Sequence, residues 1–286
     1  MEIPSRVDRT AWPFHPRYLP VGEGRMHYVD EGRGEPVLFV HGTPTWSFEW
    51  RHLIRGLSAT HRCVAVDHLG FGLSDRPAEA SYTPEAHAAR FRRFVDALGL
   101  TDFNLVVHDY GGPIALPLAL GGRAKRLVVL NSWMWAFDDP RMLKRAKQAQ
   151  GGLVRFLYRR FNASLKLLMP SVYADRRKLT KAIHAQYLAP FPDPDSRERV
   201  LYALAKALLD SSAFYASLWE RRAALERIPV TILWGMKDDA FPPSYADRWQ
   251  QALPHARVIR MEDAGHWPHE EQPERVLEEV RAALTR

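Results

Sequence analysis

The chain has 286 residues, 46% of them hydrophobic, which is enough for one large domain or for one domain that carries an insertion. Its single cysteine, Cys63, excludes an intramolecular disulfide and is typical of a buried, unreactive thiol. The N-terminus lacks the apolar stretch of a signal peptide, and no run approaches the ~18 apolar residues of a membrane span, so we expect a cytoplasmic protein.

The predicted elements alternate along the chain. Six short apolar, β-branched runs are predicted to be strands covered on both faces: 36–42, 62–70, 103–109, 126–131, 230–235 and 256–261. The run 25–32 alternates apolar and polar residues, which is typical of an outer strand. Helices are predicted at 83–100, where Thr83 is a plausible N-cap, at 112–120 and at 273–284. This alternation predicts an α/β fold with a mostly parallel, doubly wound sheet.

The interval from Trp133 to Arg222 contains no convincing strand. We predict that residues 133–222 form an inserted helical cap domain, and that 1–132 and 223–286 form the core domain. Residues 141–222 hold 17 Lys/Arg and 6 Asp/Glu, a net charge of +11, which leaves −4 for the rest of the chain. This basic region could weakly attract an acidic partner or a membrane surface, although a solvated helical surface explains it as well. No nucleic-acid-binding motif is present.

The stretch LVVHDYGGP, residues 105–113, places Asp109 at the end of an apolar strand. A nucleophile elbow needs small residues after the nucleophile, because its helix packs close to the strand. Gly111 and Gly112 meet this need, but Val107 stands where a glycine usually precedes the nucleophile. Taken alone, this turn fits a helix N-cap aspartate and a nucleophile equally well.

Three other turns favour the catalytic interpretation. The turn HGTPTWSFEWR, residues 41–51, suits an α/β-hydrolase oxyanion hole, whose backbone donors would be Thr43 and Tyr110.

Two further turns supply an acid and a histidine. Asp238 and Asp239 follow a predicted strand, where a carboxylate can orient a catalytic imidazole; Asp238 is our choice and Asp239 the alternative. His266 lies in the loop after the last predicted strand, and the preceding glycine favours it over His269. The order nucleophile, acid, histidine is that of α/β-hydrolases.

From about residue 13 to the C-terminal helix, these segments resemble the haloalkane dehalogenase family of the α/β-hydrolase superfamily. The segments that carry the resemblance are HGTPTWSFEWR, VVHDYGGP, WGMKDD and DAGHWPHEEQP. The resemblance implies that Asp109 is the nucleophile, His266 the base and Asp238 the third member. It also implies a small apolar halogenated substrate, with water as co-substrate and halide as product, and neither cofactor nor metal ion.

Two positions depart from the family pattern. Family members usually hold the leaving halide with a Trp after the nucleophile and with a second Trp in the cap, or an Asn after His-Gly. Here those core positions are Tyr110 and Thr43, which form an atypical pair. Trp133, Trp135 and Trp219 are possible contacts from the cap, although packing is the simpler role for each.

Other functions stay open. Epoxide hydrolases share the Asp nucleophile and use cap tyrosines as acids, for which the chain offers Tyr158, Tyr173, Tyr187, Tyr202 and Tyr215. The sequence also resembles β-lactone decarboxylases, which act on long apolar chains. A fluoroacetate dehalogenase is disfavoured, because the Arg expected after the nucleophile is Tyr. A non-catalytic binding protein would not need the complete set of Asp109, Asp238 and His266.

Overall fold

The computed structural model describes residues 5–285. Eight strands form one sheet: β1 (Arg17–Pro20), β2 (Arg25–Glu31), β3 (Glu35–Val40), β4 (His61–Val66), β5 (Phe103–His108), β6 (Ala124–Leu130), β7 (Val230–Gly235) and β8 (Arg257–Met261). Their order across the sheet is β1-β2-β4-β3-β5-β6-β7-β8. The pairs β1–β2 and β2–β4 are antiparallel and the others are parallel, so the predicted mostly parallel sheet is confirmed.

The central strands are buried on both faces, which explains their continuous apolar sequences. All six residues of β5 and all six of β7 are buried. The alternating segment forms β2, which lies one strand in from the edge, and the edge is the short strand β1, which we did not predict. Its sequence, RYLP, is only four residues long and ends in proline, which suits an edge strand and leaves little pattern to detect.

Thirteen helices are described within residues 5–285. They are α1 (Arg51–Leu57), α2 (Pro84–Ala97), α3 (Gly111–Leu120), α4 (Pro140–Ala149), α5 (Gly152–Phe161), α6 (Met169–Ser171), α7 (Lys181–Leu188), α8 (Pro194–Ser196), α9 (Ala203–Asp210), α10 (Ser212–Glu220), α11 (Ser244–Ala252), α12 (Pro268–Glu271) and α13 (Pro273–Leu284). Short tighter or wider helical turns span Ser47–Trp50, Ser164–Leu168, Arg176–Lys178, Arg197–Tyr202 and Arg222–Arg227.

Local sequence explains where several helices begin. The Thr83 hydroxyl accepts a hydrogen bond from the Ala86 amide at 3.3 Å, and Pro84 occupies the first helical position of α2. Asp139 and Thr180 cap α4 and α7 in the same way.

Between β6 and β7 the chain forms helices and turns and no strand. We call residues 131–229 the helical insertion. It begins at the carboxyl end of β6, on the edge of the sheet where the parallel strands β3 and β5 also end, and it returns to the amino end of the neighbouring strand β7. In the part of the chain that the structure describes, no helix is both long and apolar enough to cross a bilayer.

Candidate active site

Asp109 occupies the sharp turn between β5 and α3. Its φ angle is +48°, a left-handed conformation that a non-glycine residue adopts at a cost. The two glycines after Tyr110 permit close packing. A Cβ on Gly111 would lie 2.0 Å from the carbonyl oxygen of Val40, and one on Gly112 would lie 2.0 Å from the hydroxyl of Ser132. This crowding is the physical reason for the small residues that the sequence shows there.

The valine that departs from the elbow pattern causes no conflict. Val107 is fully buried within β5, where it pairs with Val40 of β3 and Val129 of β6. The crowding is concentrated after Asp109, so an ordinary sheet residue fits before it.

The two oxygens of the Asp109 carboxylate have different neighbours. Oδ1 accepts a hydrogen bond from the Thr43 backbone amide at 2.8 Å. Oδ2 lies 3.5 Å from Nε2 of His266. Gly42 makes this arrangement possible, because a Cβ there would lie 2.2 Å from Oδ1. A buried carboxylate therefore has an amide on one side and an imidazole on the other, which offsets part of its desolvation cost.

His266 is oriented by Asp238. Nδ1 of His266 donates to Oδ2 of Asp238 at 2.7 Å. The other carboxylate oxygen of Asp238 accepts from the amides of Ala240 and Phe241, at 2.6 and 3.0 Å. These amides fix the carboxylate in the turn after β7, so the imidazole has one defined orientation with Nε2 towards Asp109.

The two alternative residues lie elsewhere. The side chain of Asp239 is 70% exposed and faces Arg141 at 3.6 Å, on the outer side of the same turn. His269 is buried beside Glu49, with Nε2 3.7 Å from the Glu49 carboxylate. Neither residue takes part in the Asp109–His266–Asp238 arrangement.

Burial alone would lower the pKa of His266, but Asp238 and Asp109 outweigh it and raise that pKa to about 10. A pKa of about 10 favours the protonated imidazole at neutral pH. A change that removes the charge of Asp109 would lower the pKa of His266 and favour the neutral, basic imidazole.

Asn131 is a site residue that the sequence reading missed. It directly follows β6 with a φ of +33°, and its side-chain amide donates to Oδ2 of Asp238 at 2.7 Å. Its Oδ1 accepts from the Gly235 amide at 2.9 Å. The available signal was an asparagine closing the run RLVVLN, since asparagine tolerates the left-handed conformation at a strand end.

The hydroxyl of Tyr110 points towards the helical insertion. It donates to the carbonyl oxygen of Leu204 in α9 at 2.6 Å. The Tyr215 hydroxyl donates to the Ala207 carbonyl at 2.9 Å and lies 3.4 Å from the Tyr110 oxygen. Burial and, to a smaller extent, the nearby Tyr215 raise the pKa of Tyr110 well above its ordinary value. The hydroxyl therefore keeps its single proton, which it donates to the Leu204 carbonyl.

Two other donors close to the turn are buried without a hydrogen-bond partner in residues 5–285. They are the hydroxyl of Thr43 and the indole N–H of Trp133. The Trp133 ring lies 4.8 Å from the Tyr110 ring and 4.7 Å from the Phe241 ring, and Phe241 lies 5.4 Å from His266. Trp133 is thus part of the aromatic wall beside the triad.

The other two candidate tryptophans belong to a different aromatic cluster. Trp135 and Trp219 pack edge to face at 5.2 Å, and the guanidinium of Arg248 lies 4.7 Å and 4.9 Å from their rings. Trp135 is buried and also packs against Trp249 at 5.5 Å, so these contacts belong to the packing of the insertion rather than to the surroundings of Asp109 and His266.

Three of the five candidate tyrosines of the insertion use their hydroxyls elsewhere. Tyr187 donates to the Glu270 carboxylate at 2.5 Å, Tyr202 to the Gln150 carbonyl at 2.6 Å, and Tyr215 to the Ala207 carbonyl. Tyr173 has a buried hydroxyl with no partner among the described residues, and its ring stacks on Trp267 at 5.2 Å. Burial raises the pKa of Tyr158.

A buried cluster of Glu49, His108 and His269 lies behind the triad. One ligand atom from each residue lies within 4.8 Å of the others, so the cluster could hold a metal ion. His108 donates from Nε2 to the carbonyl of His266 at 2.9 Å, and its Nδ1 lies 3.4 Å from Glu49. Burial raises the pKa of Glu49, but His108 outweighs that effect and the net shift is downward.

The comparisons with known proteins agree with the fold. The family model of the alpha/beta hydrolase fold matches residues 35–273. Haloalkane dehalogenase 2 of Mycobacterium tuberculosis (strain ATCC 25618 / H37Rv) is 35% identical over 280 residues, covering 96% of this chain and 97% of that protein. The cis-3-alkyl-4-alkyloxetan-2-one decarboxylase of Shewanella oneidensis is 32% identical over 289 residues, covering 96% and 90%. The crystal structure of the haloalkane dehalogenase DatA from Agrobacterium tumefaciens C58 matches with a TM-score of 0.85 and 26% identity, covering 95% and 96%.

The chain therefore belongs to the α/β-hydrolase family, as its sheet order and family match show. Within that family it belongs with the haloalkane dehalogenases, which it matches over nearly its whole length. A decarboxylase of an oxetan-2-one, which is a β-lactone, is a relative of similar identity.

Proposed function

We propose that this protein is a hydrolase of the haloalkane dehalogenase type, which converts an alkyl halide and water into an alcohol, a halide ion and a proton. The observation that carries the proposal is the Asp109 carboxylate at the elbow. One of its oxygens is held by the Thr43 amide at 2.8 Å, and the other faces His266 at 3.5 Å. A serine at this turn would form an ether with an alkyl group, and water cannot readily cleave an ether.

The first step is displacement at the carbon that bears the halogen. A lone pair of Asp109 Oδ2 forms a bond to that carbon, and the carbon–halogen bonding pair leaves with the halide. Oδ2 is the reasonable nucleophile, since Oδ1 is already engaged by the Thr43 amide. The product is an alkyl ester of Asp109.

The second step hydrolyses the ester. Water attacks Cγ of Asp109 while Nε2 of His266 accepts its proton, and Asp238 stabilises the resulting imidazolium. The negative charge develops on Oδ1, beside the amides of Thr43 and Tyr110. Collapse of this intermediate breaks the bond between Cγ and the alkyl oxygen, which takes the proton from His266 and leaves as the alcohol. The carboxyl group that remains on Asp109 carries the oxygen of the water, and it returns to the carboxylate by releasing a proton to solvent.

For the halide, we propose that the Thr43 hydroxyl and the Trp133 indole N–H are the side-chain donors. Both are buried and free of other hydrogen bonds among the described residues. The Tyr110 hydroxyl, which we expected to contribute, instead supplies its proton to the Leu204 carbonyl. We therefore assign Tyr110 a backbone role in the oxyanion hole and a packing role for its ring.

We also propose that residues 133–222 act as a cap domain over the core formed by 1–132 and 223–286. The aromatic wall formed by Trp133, Tyr215 and Phe241 suits a small apolar substrate. Trp135 and Trp219 are assigned to packing of the cap.

A second candidate function is decarboxylation of a β-lactone with the same Asp109 nucleophile. It is favoured by the 32% identity with the Shewanella oneidensis decarboxylase and by the commitment of the Tyr110 hydroxyl, which removes one expected halide donor. Epoxide opening is less well supported, because three of the five candidate tyrosine acids donate to other groups.

A trapping experiment tests the nucleophile and the substrate class together. His266→Phe protein is incubated with 1-bromobutane, an epoxide or a β-lactone, and intact mass is measured. With 1-bromobutane we expect a butyl adduct and release of one bromide per protein. The double variant that carries both His266→Phe and Asp109→Asn should form no adduct. Trp133→Phe should slow bromide release more than it slows adduct formation from the β-lactone. Ready reaction with the β-lactone and none with the bromide would reverse the ranking of the two functions.

A further inference from the structure

One face of the helical insertion combines exposed apolar side chains with positive charge. Within residues 5–285, the exposed large hydrophobic side chains all lie in one stretch of the chain, with exposed fractions from 37% to 71%: Leu143, Leu153, Phe156, Phe161, Leu167 and Leu168. We call residues 141–168, which form α4, α5 and the turn that follows, the basic–apolar face. Soluble surfaces rarely concentrate such side chains, and a concentration of them marks an interaction site.

Helix α5 shows how the face is built. Leu153, Phe156 and Arg160 are spaced by three and four residues, so they share one side of the helix. Phe161 extends this side, with its ring 5.8 Å from that of Phe156. Tyr158 points the other way and is buried. The apolar residues that point outward are therefore additional to those that pack the helix.

The charge of this face has one sign. Residues 141–168 contain eight Lys/Arg and no Asp/Glu. Three of the arginines have acidic neighbours from outside the face: Arg155 pairs with Glu198, Arg159 with Asp195 and Glu198, and Arg141 with Asp239. Lys144, Lys147, Arg160 and Lys166 form no ion pair with any residue that the structure describes.

These features select among possible occupants. A second copy of the chain, docking by the same face, would bring two all-basic surfaces together and would be opposed by charge. An anionic bilayer supplies both complements at once, because its headgroups match the cations and its acyl region accepts protruding leucine and phenylalanine side chains.

We propose that the basic–apolar face docks this protein on the surface of a bilayer rich in anionic phospholipid. Phe156, Leu153 and Leu167 enter the headgroup–acyl boundary, and Arg160 and Lys166 contact lipid phosphates. The inference concerns a surface away from Asp109 and does not depend on the reaction. An apolar substrate dissolved in the membrane would then be concentrated beside the insertion.

Vesicle flotation of the full chain tests the proposal. Vesicles of phosphatidylcholine with about 30% phosphatidylglycerol are compared with vesicles of phosphatidylcholine alone. If the four unpaired cations each contribute as basic residues near such membranes do, partitioning should be about 1,000-fold stronger on the anionic vesicles. It should weaken in 0.5 M NaCl, because added salt shortens the Debye length and screens the attraction.

Paired variants separate the two components. Arg160→Glu with Lys166→Glu should reduce binding to anionic vesicles by about tenfold or more. The matched control is Arg33→Glu with Arg92→Glu, two exposed cations of the core, which should leave it unchanged. Leu153→Ser with Phe156→Ser should reduce binding by a similar factor, because the apolar insertion is lost.

A dye on the face gives an independent measurement of insertion. Burial raises the pKa of the native Cys63 thiol to about 12, so a cysteine introduced at position 156 can be labelled selectively. An environment-sensitive dye on Phe156→Cys should shift its emission to shorter wavelength with anionic vesicles, whereas the same dye on Arg92→Cys should not. Asp109→Asn should bind vesicles like the native protein.

Three results would overturn the proposal. They are equal binding to both vesicle types, equal loss in the core control and the face variant, and no emission shift at position 156. A dimer in solution that the Leu153→Ser, Phe156→Ser variant abolishes, without any vesicle binding, would assign the face to self-association instead.

Discussion

Replacing Asp109 with asparagine should lower the pKa of His266 towards neutrality and so favour its basic form. The amide has nearly the shape of the carboxylate but no charge, as does the alkyl ester proposed above. In the native protein Oδ2 of Asp109 lies 3.5 Å from Nε2 of His266, and the pKa of His266 is raised to about 10. At an effective dielectric constant of about 20, that separation corresponds to an attraction of about 5 kcal/mol.

Because Asp238 still faces the imidazole, we expect only part of this attraction to be expressed. The proton affinity of His266 should fall by about two to three orders of magnitude in Asp109→Asn. The assay is a titration of the imidazole nitrogens by ¹H–¹⁵N NMR in ¹⁵N-histidine-labelled protein, with the His266 signal assigned from its absence in His266→Phe. Asp239→Asn is the matched control, because that exposed carboxylate faces Arg141.

A His266 midpoint that is the same in native protein and Asp109→Asn would refute this reasoning. A midpoint that falls equally in Asp239→Asn would show that the effect is general electrostatics rather than the contact with Asp109. The expected result would explain the order of steps in the proposed reaction. The imidazole stays protonated beside the free nucleophile and becomes a base only once an ester has removed the charge of Asp109.

Three further outcomes are expected. Gly42→Ala places a Cβ 2.2 Å from Oδ1 of Asp109, so adduct formation, measured by mass spectrometry, should slow by about 100-fold or more. The circular dichroism spectrum should stay native, and unchanged kinetics would contradict the close approach. Asn131→Asp sets a second carboxylate against Asp238 and should lower the free energy of unfolding at pH 7 by about 1–3 kcal/mol in urea titrations, with a smaller deficit near pH 4, where one carboxyl is protonated. The pKa of His266 is raised on folding, so its contribution to stability should be complete below about pH 6.5 and lost as pH rises through about 10; urea titrations of His266→Phe should lack that decline.

The sequence predicts most of the sheet, and it singles out the three side chains that the structure brings together, Asp109, His266 and Asp238, because those signals are local. Apolar runs that end in turns locate β3 to β8, and the glycines after Asp109 reflect contacts with adjacent strands. The choice between Asp238 and Asp239 depends on which neighbour faces inward. The sequence favoured Asp238 only by analogy, whereas the structure supplies a cause in the amides that hold its carboxylate.

What the sequence could not predict depends on contacts between distant segments. The Tyr110 hydroxyl is directed by a carbonyl 94 positions further along the chain, in a helix whose placement no local pattern specifies. Asn131 reaches Asp238 only because β6 and β7 are neighbours in the sheet. The pairing of Glu49 with His108 likewise joins the helical turn Ser47–Trp50 to the end of β5, two segments that only the strand order brings together.

The hydrogen bond between Tyr110 and Leu204 has a mechanical consequence. It joins the residue next to Asp109 directly to α9, so an outward movement of that helix would strand a buried hydroxyl and a buried carbonyl. Substrate entry by displacement of α9 would therefore disturb the turn that aligns Asp109. An entry route elsewhere around the insertion would allow the insertion to move while the Asp109 carboxylate keeps its orientation.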